Sequence, residues 1–324
     1  LRFDGAGTVV LDRVPAPAPG PGDAVVRVEV SAICGSERGA LAAGVAVNPG
    51  HEAAGVVIHA PARSGFGPGD RVGISAVRGC GACGACRAGV EVRCAAGPGV
   101  QFGMHADEVA VDVSTLRRLP DGIDTRTGVL LTGDTIGVPV RGLRRAPTQA
   151  GDRVLVVGLG PVGLGHVLVR AFLGCDVVAV EPSPFRRELA LGLGASAAVA
   201  PGQAVGCPPV LVIECSGRPE AINVALRTVA TGGTVLQSGE CERVEISPSD
   251  LVRREVSYVA SWYYATEDYP TILDLSRRNL APERLITHEF PAAAAPEAYA
   301  RFLSGESGKV LLRWAPDQAD QFSS

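Results

Sequence analysis

The run Arg153-Val-Leu-Val-Val157 leads directly into Gly158-Leu-Gly160-Pro161-Val162-Gly163, and that junction leaves few folds open. A run this apolar suits a strand buried on both faces. The glycines at G-x-G-x-x-G spacing permit a sharp turn and a close approach of backbone to a ligand, and the pattern that follows predicts a helix over about 161–173. Strand 177–181, helix 184–192, strands 196–199 and 210–214, helix 219–230 and strands 233–237 and 256–260 come next. Strands alternating with helices predict a doubly wound parallel sheet. In that context the glycine turn is a dinucleotide fingerprint. The helix N-terminus faces a pyrophosphate, and Glu181, ending the second strand, hydrogen-bonds an adenosine ribose. An acid there repels a 2′-phosphate, so NAD is expected over NADP, although Arg186 and Arg187 offer the opposite charge nearby.

A second constraint lies upstream. Cys80, Cys83, Cys86 and Cys94 follow the spacing C-x2-C-x2-C-x7-C in a glycine-rich segment with almost no large apolar side chains. Such a loop cannot close on a hydrophobic core, but it can wrap sulfur around one ion. Four thiolates at ~2.3 Å satisfy tetrahedral Zn²⁺ and leave no open position, as in structural sites. The expectation is a structural-zinc lobe over 78–97.

The first third is mostly β. Thr8-Val-Val-Leu11 and the alternating Ala24–Val30 are strands joined by a proline-rich turn, with further short strands over 53–59 and 71–75. A helix near 268–278 and a strand over 309–313 close the chain, and the polar tail after Ala315 is expected to fray. With 324 residues, 46% hydrophobic and 20% charged, the chain has enough material for two cores. A net charge of −4 without a basic run excludes a nucleic-acid partner, and no apolar stretch is long enough for a membrane span. The nine cysteines, one cluster and five scattered, point to the cytosol rather than to a secreted disulfide scaffold.

Cys34-Gly-Ser36-Glu37 and Gly50-His51-Glu52 carry zinc-binding residue types. Alone, Cys34 reads as a small buried hydrophobe and His51 as an ordinary hydrogen-bonded histidine. Upstream of a four-cysteine loop and a nucleotide fold, they read together. In the order and spacing of these motifs the whole chain resembles the zinc-dependent medium-chain dehydrogenase/reductase family, the alcohol and polyol dehydrogenases. The resemblance implies an α/β protein: a GroES-like β-rich catalytic domain (1–135 and 263–324) plus a Rossmann domain (136–262). It implies two zinc ions per chain, one catalytic and one structural. Cys34 and His51 become catalytic zinc ligands, and Glu52 either a ligand or a close neighbour of the ion. Asp134, in Leu130-Leu-Thr-Gly-Asp134, is the remaining ligand, with a helix N-cap as its alternative. Ser36 takes the proton from the substrate alcohol. Glu37 replaces the usual aspartate and is expected to hold His51 by its second nitrogen.

Further residues follow from the same resemblance. Cys215, in Glu214-Cys-Ser-Gly217, lies in a loop expected beside the nicotinamide. Lys309, the only lysine, is expected at the pyrophosphate or else as a solvated surface residue. Ser261-Trp-Tyr-Tyr264 lines the pocket or a subunit contact, or packs a core. His59, His105, His166 and His288 are expected to be structural, with His105 the strongest outsider for a pocket. Gly39 stands where many members carry a relay histidine, and the Ala/Gly-rich segment between Cys34 and His51 is short. The implied activity is reversible hydride transfer between a secondary alcohol (polyol, cyclitol or sugar-like) and NAD, by a cytoplasmic homodimer or homotetramer. The alternatives are a simple alcohol or aldehyde dehydrogenase, a biosynthetic ketone reductase, or an inactive NAD-binding protein that keeps only structural zinc.

Overall fold

The computed structural model of the chain describes residues 1–314, so the expected fraying after Ala315 lies outside the described residues. The chain forms two compact units, Leu1–Gly133 with the segment from Ile286 on, and Asp134–Leu285.

The first unit is built on Asp23–Ala32, whose alternating valines face a core of Val26, Val28, Val57, Val72, Ile74 and Val109. On one side this strand pairs antiparallel with Ala53–His59. On the other, its partner changes half-way. Residues 23–27 pair with Glu108–Asp112, and residues 30–32 pair with Lys309–Arg313 from the far end of the chain. The seven-stranded sheet runs Ile286–Pro291, Lys309–Arg313, Asp23–Ala32, Ala53–His59, Arg71–Ile74, Leu116–Arg118, with Glu108–Asp112 attached to the third of these. A second core gathers Phe3, Ile33, Tyr299, Phe302, Val310 and Leu312. It also joins residues 1–9 to residues 295–312.

The second unit is the expected doubly wound sheet. Its six parallel strands lie in the order Ala197–Val199, Asp176–Val180, Arg153–Val157, Leu211–Glu214, Thr234–Gln237, Ser257–Ala260. Leu155, Val157, Val178, Val212 and Val235 share one core with Ile222 and Leu226 of helix Pro219–Thr228. The strand order reverses beside Arg153–Val157, where sheets of this kind bind ligands at the carboxyl ends of their strands.

The C-terminal boundary of this unit falls after Leu285, not near residue 262. The reason is local packing on helix Asp134–Arg145. Asp268 accepts from Arg144 at 2.8 Å and from Arg141 at 3.3 Å, and the Tyr264 ring lies against Gly137, where an added Cβ would meet it at 2.3 Å. Residues 263–285, with helix Tyr269–Arg277, therefore belong to the nucleotide-fold unit. Among the described residues, no helix is long and apolar enough to cross a membrane.

Candidate functional site

Cys34 follows the strand Asp23–Ala32, and His51 and Glu52 immediately precede its partner Ala53–His59. Neighbouring strand ends thus bring together residues seventeen apart in sequence. All three are buried, at 7%, 5% and 0% exposure. The chain leaves the first unit after Gly133, and the next residue, Asp134, opens a helix. One ligand atom from each of Cys34, His51, Glu52 and Asp134 lies within 4.8 Å of all the others. A thiol, an imidazole and two carboxylates crowded with little water form a donor set that suits zinc. These residues fit the ion, and Asp134 stands both in the cluster and in the first turn of its helix.

The surroundings fix each donor. His51 Nδ1 lies 3.0 Å from the Pro49 carbonyl oxygen, which turns Nε2 toward the cluster. That carbonyl fills the place expected of Glu37. Glu37 is buried and points elsewhere: it accepts the Cys34 N–H at 3.0 Å and the Tyr299 hydroxyl, with His105 Nε2 at 3.4 Å. Burial alone would raise the Glu37 carboxyl, but His105, His51 and the Tyr299 hydrogen bond outweigh it and hold the group below the usual carboxylate value. Burial and the Glu37 charge push the Tyr299 phenol well above its ordinary value, so it remains a donor.

Lys309 is neither at the surface nor set out as a free cation. Its ammonium is fully buried and pairs with Glu52 Oε1. Nothing in the sequence signalled that contact, because the strand pairing of residues 30–32 with 311–313 delivers the lysine from the far end of the chain. Gly133 has a structural reason to be glycine, since a Cβ there would stand 2.3 Å from Glu52 Oε2. Ser36 caps helix Glu37–Ala42 by position but makes no side-chain cap bond, and it is exposed. Phe102, 58% exposed, sets its ring edge-on to His51 at 6.1 Å between centroids. Sequence reading missed this apolar ring beside the donors, and no motif marks it.

The four lobe cysteines also converge. Cys83 Sγ lies 3.5 Å from Cys86 Sγ, Cys80 Sγ lies 3.9 Å from Cys86 Sγ, and the Cys80 N–H donates to Cys94 Sγ at 3.3 Å. Backbone donors from Ala95 and Cys86 pull Cys83 down to about 6, whereas desolvation and the neighbouring thiols push Cys86 up to about 12. One cation would neutralise this crowd of sulfur.

In the second unit the glycine turn has the geometry that its spacing demands. Gly158 sits at φ +86°, a Cβ on Gly163 would meet Gly158 O at 1.9 Å, and the space over Gly160 is open. Pro161 and Val162 begin helix Pro161–Phe172. Glu181 ties the second strand to this turn: Oε2 accepts the Leu159 N–H at 2.7 Å and Oε1 accepts the Ser183 N–H at 3.1 Å. Arg187 is spent on the Glu181 and Pro182 carbonyls, both at 2.7 Å, while Arg186 is half-buried with its N–H near Ser183 Oγ. Glu214 gathers the Ser216 and Gly217 N–H groups and the Gln237 amide around a buried carboxylate, which shapes the next loop. Burial, and then that carboxylate, raise the Cys215 thiol well above its usual value, so it is no nucleophile.

Residues 20–121 match the alcohol dehydrogenase GroES-like domain, and residues 161–278 match the zinc-binding dehydrogenase domain. Over 98% of its length the chain is 32% identical to a probable zinc-binding alcohol dehydrogenase of Mycobacterium tuberculosis, covering 88% of that protein. It belongs to the zinc-dependent medium-chain dehydrogenase/reductase family. Similarity to other members is equally extended. The chain is 29% identical to the sorbitol dehydrogenase of Gallus gallus, over 96% of this chain and 95% of that one. The alcohol dehydrogenase of Thermus sp. ATN1 superposes with a TM-score of 0.87 at 27% identity, covering 96% of this chain and 98% of that one. As a medium-chain dehydrogenase the chain is a zinc-type oxidoreductase of GroES-like plus Rossmann architecture.

Proposed function

We propose that this dehydrogenase reversibly oxidises a secondary alcohol of a polyol, cyclitol or sugar-like substrate, with NAD as the hydride acceptor. The observation that carries the reading is the buried thiol, imidazole and two carboxylates within 4.8 Å of one another, in a chain that also holds the glycine turn. Cys34, His51 and Asp134, with Glu52, would hold the catalytic zinc; Cys80, Cys83, Cys86 and Cys94 would hold the structural one. Zinc bound at the first group supplies Lewis acidity to a substrate oxygen. Lys309 offsets the charge of Glu52, which keeps two carboxylates and a thiolate from overloading one small cavity. The exposed Ser36 hydroxyl, two residues from Cys34, accepts the alcohol proton. Because Gly39 carries no side chain to relay it further, the proton passes from Ser36 to solvent.

NAD is favoured because Glu181 places a buried carboxylate at the glycine turn and Arg187 is engaged with backbone carbonyls. Glu181→Ala should weaken NAD more than NADP; an unchanged preference would assign the choice to another residue. A polyol-like substrate is supported by the end-to-end similarity to sorbitol dehydrogenase and to a probable D-xylulose reductase A of Arthroderma otae. We place the protein in the cytosol as a homodimer or homotetramer. Metal analysis should find two zinc ions per chain, and a panel of polyols, cyclitols, sugars and simple alcohols, read by NADH absorbance, should turn over best among the polyhydroxylated members. A single zinc per chain, or no oxidation of any alcohol, would reject the proposal.

A further inference from the structure

Behind the donor cluster lies a second layer of buried polar side chains, assembled from segments far apart in sequence. Trp314 Nε1–H donates to Ser31 Oγ at 2.7 Å, and Ser31 Oγ lies 2.7 Å from His105 Nδ1. His105 Nε2 lies 3.4 Å from both oxygens of Glu37. The Tyr299 hydroxyl and the Cys34 N–H also converge on that carboxylate. Every donor in this chain has an acceptor when Ser31 O–H points to Nδ1 and Nε2 carries its hydrogen to Glu37. Ser31 and His105 are fully buried, and Glu37 and Tyr299 are each 2% exposed. A fully connected network at this depth is rigid, whereas a broken one leaves a costly unpaired group.

His105 also presses on the other ligand. A Cβ on Gly50 would stand 2.5 Å from His105 N and 2.6 Å from its Cγ, so the histidine packs directly on the residue before His51. Asn48 locks this contact. Its amide donates to the Gly103 and His105 carbonyls at 3.0 and 3.1 Å, and its oxygen accepts from Gly50 N–H at 3.2 Å and His105 N–H at 3.3 Å. Met104 N–H adds a bond to Gly50 O at 2.9 Å.

We propose that His105 and Tyr299 are positioning residues of the metal site, which act on Cys34 through Glu37 and, from His105, on His51 through Gly50. They hold the backbone that aims the donor atoms. The inference rests on Cys34, His51, Glu52 and Asp134 being the catalytic-metal group.

The test uses the full-length metal-loaded protein, with cobalt exchanged into the Cys34 site and zinc kept in the lobe. His105→Leu removes both ring contacts, while His105→Gln keeps a nitrogen donor for Glu37. His105→Leu should shift the visible cobalt bands and speed metal loss to a chelator roughly tenfold or more, as outer partners of metal ligands do. Lobe zinc should stay in place, and His105→Gln should recover most of the parent spectrum and retention. A parent-like spectrum and release rate in His105→Leu would overturn the proposal, as would equal loss of both metals in the Leu and Gln variants. Should His105→Leu fail to fold, Tyr299→Phe, which removes one hydroxyl, decides: altered cobalt bands with faster release support the role, and parent behaviour refutes it. Failure of the metal-site reading shows separately, because the unsubstituted protein would then hold metal in the lobe alone.

Discussion

At the scale of single residues, the chemistry of the site is set by what surrounds each donor more than by the donors themselves. The carbonyl of Pro49 orients His51, the ammonium of Lys309 sits on Glu52, and the backbone of Cys34 is bonded to Glu37. Two substitutions probe this level. Gly133→Ala would drive a methyl group to 2.3 Å from Glu52 Oε2 and 2.7 Å from Val129 O. Overpacking of this kind costs about 1–3 kcal/mol, so the denaturation midpoint should fall and catalytic-site metal should be lost before lobe metal. Ser36→Ala should cut turnover by more than about tenfold, with NAD binding unchanged; a fully active variant would remove Ser36 from the proton path. The convergence of Cys34, His51, Glu52 and Asp134 was expected from the order and spacing of motifs that the chain shares with a known family. Their supports were not. A backbone carbonyl carries no sequence signal, and His105, Tyr299 and Lys309 arrive from segments whose proximity only the tertiary pairing defines.

At the scale of elements, the four-cysteine loop and the glycine turn behave as local sequence dictates. Helix 184–192 and strand 309–313 lie where hydrophobic period and turn residues put them. A helix start at Asp134 was the alternative reading of that residue, but the extent of helix Asp134–Arg145 was not predicted, and Gly137, Pro139 and Gly142 all argue against it. The structure turns those breakers into contacts: Gly137 admits the Tyr264 ring and Gly142 admits the His166 ring. Close helix packing outweighs poor propensity here. The lobe yields a prediction from its thiols. Without metal, Cys86 keeps its proton up to about pH 12, whereas Cys83 loses its own near 6. Capture of zinc near neutral pH must therefore expel protons from the lobe, and its apparent affinity should rise with pH. Zinc titration of the stripped protein in weak buffer, at pH 6 and pH 8, should show acid release and tighter binding at the higher pH; a pH-independent affinity would mean that the sulfurs are not the ligands.

At the scale of the whole molecule, stability is coupled to acid through a buried histidine. His166 is fully buried in helix Pro161–Phe172, and neither ring nitrogen finds a hydrogen-bond partner among the described residues. Burial, and then nearby Arg170, hold it well below its ordinary value of 6.5. The unfolded chain therefore takes up this proton first as pH falls. The His166 contribution is complete above about pH 6.5 and is lost below it, at up to about 1.4 kcal/mol per pH unit. Urea midpoints at pH 5 and 7.5 should differ less in His166→Leu than in the parent, and an equal difference would assign acid sensitivity elsewhere. The division into units was legible only in part. The contiguous βα alternation announced itself, but the boundary after Leu285 depends on ion pairs from Arg141 and Arg144 that no periodicity encodes. The pairing of residues 30–32 with 311–313 carries a consequence for biosynthesis. The nucleotide-fold unit is one uninterrupted stretch and can close while the ribosome is still at work. The unit bearing Cys34 cannot: its sheet waits for strand Lys309–Arg313, and Glu52 waits for a lysine 257 residues further along the chain. Competence of the proposed metal-binding group is thus acquired only once residues 309–313 have been made, and a chain stopped before them would carry a complete nucleotide-fold unit together with an acidic, unfinished donor cluster.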